Sequence, residues 1–197
     1  MRPDLKIIAS WIKKNERVLD LGCGSGHLLK SLQIERNAYG IGLENDLKKI
    51  QSCLEIGVNV INQDLDSGLE NFKANSFDTV LLAQTLQALS QPDKLIEDML
   101  RVGERGIVTF PNFGNWKSRL YLFFRGRMPI SKFMPHNWYD TPNIHFCTVK
   151  DFDLMCVEKK IKVLNKTVVN LDHQGSLAMK LFPNLLGEIA IYHITKS

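Results

Sequence analysis

A hydrophobic run that dissolves into alternate glycines, Val18-Leu19-Asp20-Leu21-Gly22-Cys23-Gly24-Ser25-Gly26, is where this sequence first offers chemistry. Glycines at 22, 24 and 26 remove Cβ atoms from a turn, so a ligand can lie on the main chain between a strand and the helix after it. The spacing is G-x-G-x-G, not the G-x-G-x-x-G that leads a pyrophosphate to a helix N-terminus. An acid inside the strand, Asp20, suits a cationic ligand better than a diphosphate. The same glycines would also serve a purely structural turn. Glu44 closes the run Tyr39-Gly40-Ile41-Gly42-Leu43-Glu44, 18 residues past Gly26. A carboxylate there can accept from both vicinal hydroxyls of a ribose; taken singly, it reads equally well as a solvated strand-end acid. Asp64, in Asn62-Gln63-Asp64-Leu65-Asp66, is placed to accept from an adenine amino group with Leu65 beside the ring, or simply to cap a turn. The three acids mark the ends of consecutive strands and converge on the carboxyl edge of one sheet, where open α/β sheets bind ligands.

Such a constellation needs a parallel sheet behind it, and the hydrophobic pattern supplies one. Leu5, Ile8, Ala9 and Ile12 recur at i, i+3, i+4, i+7 and predict an amphipathic helix over Pro3 to Lys13. Strands are expected at Arg17 to Leu21, Tyr39 to Leu43, Val58 to Ile61, Phe77 to Ala83 and Gly106 to Phe110. Helices are expected between them, from Gly26 to Leu32, from Asp46 to Ile56, and from Gln91-Pro92-Asp93 to a stop at Gly103. Near-continuous apolar strands are what a sheet covered on both faces requires. A helix over Val149 to Lys159 and β-rich segments at Ile161 to Val169 and Glu188 to Ile194 complete the pattern, the last two as an antiparallel, hairpin-like edge. The expectation is an α/β fold with a Rossmann-like, mostly parallel sheet and helices on both faces, forming one domain over residues 1–197.

The chain has 197 residues, 44 % hydrophobic and 23 % charged, with mean hydropathy -0.12, which excludes disordered and fibrous classes. A net charge of +4 is far from that of a dedicated nucleic-acid binder, so no nucleic acid is expected. Cys23, Cys53, Cys147 and Cys156 lack the close pairing of zinc or redox motifs and read as free thiols; the five histidines are scattered, and no metal is expected. No apolar run is long enough to span a bilayer, and Met1 to Lys6 carry no signal-peptide pattern, so the cytoplasm is the expected location.

One stretch departs from the pattern. Residues 110–146 hold 10 of the 17 aromatic side chains, four of the seven prolines, five Lys or Arg and a single acid, Asp140. A long irregular connection in a compact domain is more often functional than filler. It reads as a lid over the ligand, as a protein-docking surface, as an RNA-binding surface, or, for Lys117 to Arg125, as a membrane-surface helix. Burial of Leu120, Phe123 and Phe124 in the core is expected to account for part of it.

Leu19-Asp20-Leu21-Gly22-Cys23-Gly24-Ser25-Gly26 resembles the cofactor-binding motif of class I S-adenosylmethionine-dependent methyltransferases, and Glu44 and Asp64 match the ribose and adenine positions by strand order. More narrowly, the chain up to about Asn170 resembles the MetW proteins of bacterial methionine biosynthesis. That match rests on Arg2-Pro3-Asp4-Leu5, Gly57-Val58-Asn59-Val60-Ile61, Gln63-Asp64-Leu65-Asp66, Gln84-Thr85-Leu86-Gln87-Ala88, Phe110-Pro111-Asn112-Phe113-Gly114 and Trp138-Tyr139-Asp140-Thr141-Pro142-Asn143-Ile144-His145. The resemblance implies a seven-stranded sheet, S-adenosylmethionine or S-adenosylhomocysteine as cofactor, and homoserine O-acyltransferase as partner. Asp20, Gly22, Cys23, Gly24, Gly26, Glu44, Asn45, Asp64, Leu65 and Gln84 are the expected cofactor-binding residues. No catalytic residue is assigned. Methyl transfer from a sulfonium depends chiefly on orientation, so a missing base decides nothing. The run Ala83-Gln84-Thr85-Leu86-Gln87 lacks the Asn/Asp-Pro-Pro-aromatic signature of methylation on nucleic-acid bases. His145, Tyr139 and Asp140 are candidates for proton acceptance or for holding the loop, and Gln84 and Gln87 for positions near the cofactor's methyl group.

Overall fold

The computed structural model describes residues 3–130, 135–170 and 174–197. Part of the 110–146 stretch (131–134), the start of the C-terminal stretch (171–173) and Met1 and Arg2 lie outside the described residues. Seven strands form a single sheet: β1 (Arg17–Leu21), β2 (Tyr39–Glu44), β3 (Asn59–Asn62), β4 (Phe77–Ala83), β5 (Gly103–Pro111), β6 (Ile161–Val169) and β7 (Ile189–Lys196), in the order β3-β2-β1-β4-β5-β7-β6. The first five strands are parallel; β7 runs antiparallel between β5 and β6. The order reverses at β1, and the turn after β1 is the glycine-rich one, which places it at the switch point of the sheet.

Strand residues alternate between two covered faces. Val18, Leu81, Ile107 and Ile191 pack with Ile8, Ile12, Leu29 and Leu32 beneath α1 (Pro3–Trp11) and α2 (His27–Arg36). Their neighbours Leu19, Leu82, Val108 and Tyr192 pack with Ile96, Met99 and Phe152 beneath α4 (Pro92–Val102) and α6 (Val149–Glu158). Helix starts follow local chemistry. Asp46 caps α3 (Leu47–Glu55) by accepting from the N–H groups of Lys48 and Lys49, and Pro92 opens α4. Thr148 and Asp151 close a reciprocal capping box on α6.

Several boundaries differ from the pattern. The fifth strand begins at Gly103, because Gly103 ends α4 and already pairs with Phe77; a Cβ there would stand 2.6 Å from Val80 Cγ2. The third strand lies one residue later than its apolar run. Short helices α7 (Leu177–Leu181) and α8 (Pro183–Leu186) separate β6 from β7, so no tight hairpin turn joins them.

The main correction concerns α5 (Trp116–Arg125). Leu120, Phe123 and Phe124 are not in the core: Phe123 is 80 % exposed and Phe124 74 %, and Ser118 alone among the helix's residues is buried. The helix leaves the carboxyl end of β5, and past Ser118 all of its residues are exposed. Its base is nevertheless fixed by two buried asparagines. Asn112 Nδ2 donates to the carbonyls of Asn184 and Gly187 at 3.0 and 2.8 Å, while its Oδ1 accepts from the N–H groups of Gly114 and Val149 at 3.0 and 3.2 Å. Asn115 caps α5 through Lys117 N–H at 2.9 Å and donates to the carbonyls of Leu186 and Gly187. One knot of side-chain amides thus joins β5, α5, α6 and α8.

Candidate functional site

The glycine loop begins where β1 ends. The N–H groups of Gly22 and Cys23 both donate to the Leu43 carbonyl, at 2.9 and 3.0 Å, which ties the loop to β2. Two glycines are required by close approach. A Cβ at Gly22 would stand 2.7 Å from Thr85 Oγ1, and one at Gly26 would stand 2.9 Å from Cys53 Sγ. Gly24 differs: it adopts φ +58 and faces open space, so its bare main chain is free for a ligand to approach. From below, the Cys53 thiol donates to the Gly24 carbonyl at 3.2 Å. A Cβ on Gly42 would collide with Cys23 Sγ, so β2 is hollowed out to seat that thiol.

Beside this loop lies a cavity of about 700 Å³, within the range of small-molecule and cofactor sites. Asp20, Gly22, Cys23 and Gly24 converge on it. Asp20 is the chemically distinctive member. Its carboxyl is 2 % exposed, and Oδ1 has no hydrogen-bond partner among the described residues. Burial, and secondarily the neighbouring Glu44 carboxylate, push its pKa up to about 7. A buried acid with an unsatisfied oxygen is costly unless a ligand completes it, and a cation carrying N–H donors would do so.

Glu44 stands behind the loop, almost fully buried. Its Oε2 accepts from Gly24 N–H at 3.0 Å, and its Oε1 accepts from Asn45 and Asp46 N–H at 3.0 and 3.1 Å; Lys49 Nζ lies 3.8 Å away. A carboxylate has about four acceptor positions, so three occupied ones leave room for roughly one ribose hydroxyl unless the loop releases an N–H. Asn45 takes part through its main chain. Gly26 serves as N-cap of α2 and does not line the cavity. Nor do Asp64, Leu65 and Gln84. Asp64 caps the 3-10 turn Leu65–Ser67 by accepting from Asp66 N–H, and Leu65 is buried behind it. Gln84 is exposed at the end of β4 with φ +59, its N–H held by the carbonyl and hydroxyl of Thr109.

Sequence reasoning missed one wall. His27, Lys30, Ser31 and Ile34 of α2 also line the cavity, as does Leu5 of α1. Their spacing, i, i+3, i+4, i+7, is a helical stripe, but a mostly polar one, so a search for apolar periodicity passes over it.

The remaining candidates make contacts within the chain. All four cysteines are free, and burial pushes the thiols up, Cys147 to about 12 and Cys156 to about 11, which keeps them protonated at neutral pH. His145 Nε2 lies 3.4 Å from the Ser90 carbonyl, Asp140 accepts from Asn137, and Tyr139 packs edge-on against Trp138. Gln87 Nε2 donates to the Pro111 carbonyl at 3.0 Å, and its own main-chain carbonyl accepts from Ile144 and His145 N–H at 2.7 and 3.0 Å. Among the described residues no His, Cys, Asp and Glu cluster suited to a metal occurs, and no helix is long and apolar enough to cross a membrane.

The family described as "Methionine biosynthesis protein MetW" matches residues 2–194, past Asn170, where the sequence motifs ran out. The bifunctional methionine biosynthesis protein MetXA/MetW of Rhodopirellula baltica is 30 % identical over 197 residues, 95 % of this chain and 32 % of that protein. A ubiquinone biosynthesis O-methyltransferase of Hahella chejuensis is 30 % identical over 132 residues, covering 62 % of this chain and 55 % of that protein. The chain therefore spans about a third of the first relative and about half of the second. Among solved structures, the complex of the Haloferax volcanii Trm112 methyltransferase activator with a putative methyltransferase contains a similar fold. It has TM-score 0.70, 13 % identity, and coverage of 98 % of this chain and 88 % of that one. A SAM-dependent methyltransferase of Archaeoglobus fulgidus has TM-score 0.67, 14 % identity, and coverage of 99 % and 92 %. With a seven-stranded methyltransferase-type fold and a family match along nearly its whole length, this chain belongs to the MetW family of methionine biosynthesis proteins.

Proposed function

We propose that this protein binds S-adenosylmethionine, or its demethylated product, in the cavity beside the glycine loop and acts with homoserine O-acyltransferase as an accessory subunit. The observation that carries the cofactor reading is Asp20: a buried carboxyl with a free oxygen at a glycine-lined cavity suits a ligand bearing both an ammonium and a sulfonium. The main chain at Gly24 accommodates the ligand's body, and Glu44 holds the loop and offers its remaining acceptor position to a ribose hydroxyl; Asp64 and Leu65, outside the cavity wall, would meet the adenine only where it extends past Glu44 toward the end of β3. The cofactor, when bound, supplies an electrophilic methyl group. The partner reading rests on the relative that carries the MetXA and MetW names in one chain. Binding of a pathway end-product derivative by a partner of a pathway enzyme further suggests that the complex reports methionine status.

Isothermal titration of the acyltransferase with this protein, with and without S-adenosylmethionine, tests the reading. The expected result is binding whose affinity changes with the cofactor; equal affinities would remove the sensing role, and absence of binding would remove the partnership. A ligand held only by the folded state also raises the melting temperature by mass action, which checks the cofactor separately. A second reading, an active methyltransferase on a small molecule or protein, is favoured by the ubiquinone O-methyltransferase relative. It predicts transfer of a labelled methyl group to an acceptor in a cell extract.

A further inference from the structure

Helix α5 is an unusual thing to leave in water. Five consecutive apolar residues, Leu120 to Phe124, wrap apolar surface around the whole circumference, a pattern that belongs to a buried helix. Yet all five are exposed; Tyr121 and Trp138 line one shallow cavity, and Trp138 packs edge-on with Tyr139, both of them more than two-thirds exposed. Large contiguous apolar patches on a folded domain mark interaction sites. The base of the helix is fixed in advance: the Asn115 cap, the 2.6 Å ion pair from Lys117 to Glu188, and the 2.6 Å hydrogen bond from Arg119 Nε to the Gly114 carbonyl hold its first turn. These contacts consume two of the helix's cations in anchoring it. The guanidinium groups of Arg125 and Arg127, at the free end, have no ion pair or hydrogen bond among the described residues.

We propose that this face, Leu120 to Phe124 with Trp138 and Tyr139, docks the homoserine O-acyltransferase, seating in an apolar groove of that enzyme rimmed by carboxylates that meet Arg125 and Arg127. The inference rests on the partnership argued above and adds its location. Charge selects the occupant. A second copy of this chain would bring the two arginines against themselves, and Asp140, the single acid of residues 110–146, already accepts from Asn137. A lipid surface requires charges segregated onto one polar face opposite an apolar one. Here apolar residues occupy every face, and the cations at the base are turned back onto the protein. Aromatic and arginine side chains presented on a preorganised support are the composition of interface hot spots.

The experiment uses the full chain and a purified homoserine O-acyltransferase from the same organism, with affinity followed by titration calorimetry. F123E/F124E is expected to weaken binding by about 100-fold or more. R125E/R127E is expected to weaken it by about tenfold and to flatten its salt dependence. Both variants should retain the wild-type melting temperature and its rise on adding S-adenosylhomocysteine, since neither pair touches the core or the cavity. If the wild type binds and F123E/F124E binds equally well, the docking face is refuted while the partnership stands. If the wild type does not bind at all, the partnership itself fails. Sedimentation with phosphatidylglycerol vesicles, or dimerisation by analytical ultracentrifugation, lost on F123E/F124E, would assign the face to lipid or to self-association and overturn the proposal.

Discussion

The glycine loop and the base of α5 both leave the carboxyl edge of the sheet, and they solve opposite problems. Around the loop, side chains hold main chain in place so that a buried carboxyl stays unsatisfied: Glu44 and Cys53 grip Gly24 while Asp20 keeps a free oxygen. At the base of α5 every amide of Asn112 and Asn115 is satisfied, and what stays unsatisfied is apolar surface farther out. One region withholds a hydrogen bond, the other withholds a hydrophobic contact. The first deficit is the basis of the proposed cationic ligand, the second that of the proposed docking partner.

Substitution can break this contrast at either end. The largest effect is expected from Asn112→Ala, which strands the half-buried Asn184 carbonyl and the buried N–H groups of Gly114 and Val149, leaves the Gly187 carbonyl to Asn115 alone, and should cost about 4 kcal/mol of stability in a urea melt. Its folded fraction should still bind S-adenosylhomocysteine, because the knot and the loop share no residue. Gly42→Ala pushes a methyl group into Cys23 Sγ. It should cost about 2 kcal/mol and, unlike the asparagine change, weaken the ligand by about tenfold.

Asp20→Asn separates stability from function. The wild-type carboxyl titrates near 7 when folded and near 3.8 when unfolded, so between these values the folded state binds the extra proton and stability falls as pH rises. The D20N variant should therefore be more stable than wild type above pH 7, by about 1–3 kcal/mol, and no more stable below about pH 4. Wild-type affinity for S-adenosylmethionine should rise as pH passes upward through 7, since the cation favours ionised Asp20; in D20N the affinity should be lower and flat. The smallest effect is expected from Phe124→Ala, within about 0.5 kcal/mol of wild type, because the ring touches little of its own protein. A larger loss would show that α5 packs on the domain after all.

The same contrast explains what could be read without coordinates. The loop was legible because its requirements are local: glycines within nine residues of one strand, and acids at the ends of the next strands. The strand segments and the mostly parallel sheet followed from apolar runs and their helical spacers, while the seven-stranded sheet was what the family resemblance implied. Helix α5 was misread because Leu120, Phe123 and Phe124 fall at i, i+3, i+4, the spacing of any buried face; periodicity records that a surface wants cover but not which chain covers it. The polar stripe on α2 escaped for the complementary reason. Asn112 was visible as part of a motif and Asn115 was not, and the partners of both at α8 lie some seventy positions away, beyond what spacing can indicate.

The paired contact at Gln87 has its own consequence. Its carbonyl oxygen receives the N–H groups of both Ile144 and His145, so donors and acceptor all belong to the peptide backbone. Replacing any of these three side chains leaves that clasp chemically intact, and an alanine scan would record nothing of it. Only loss of an amide hydrogen unfastens it, and proline at 144 or 145 is the genetically encoded way to remove one.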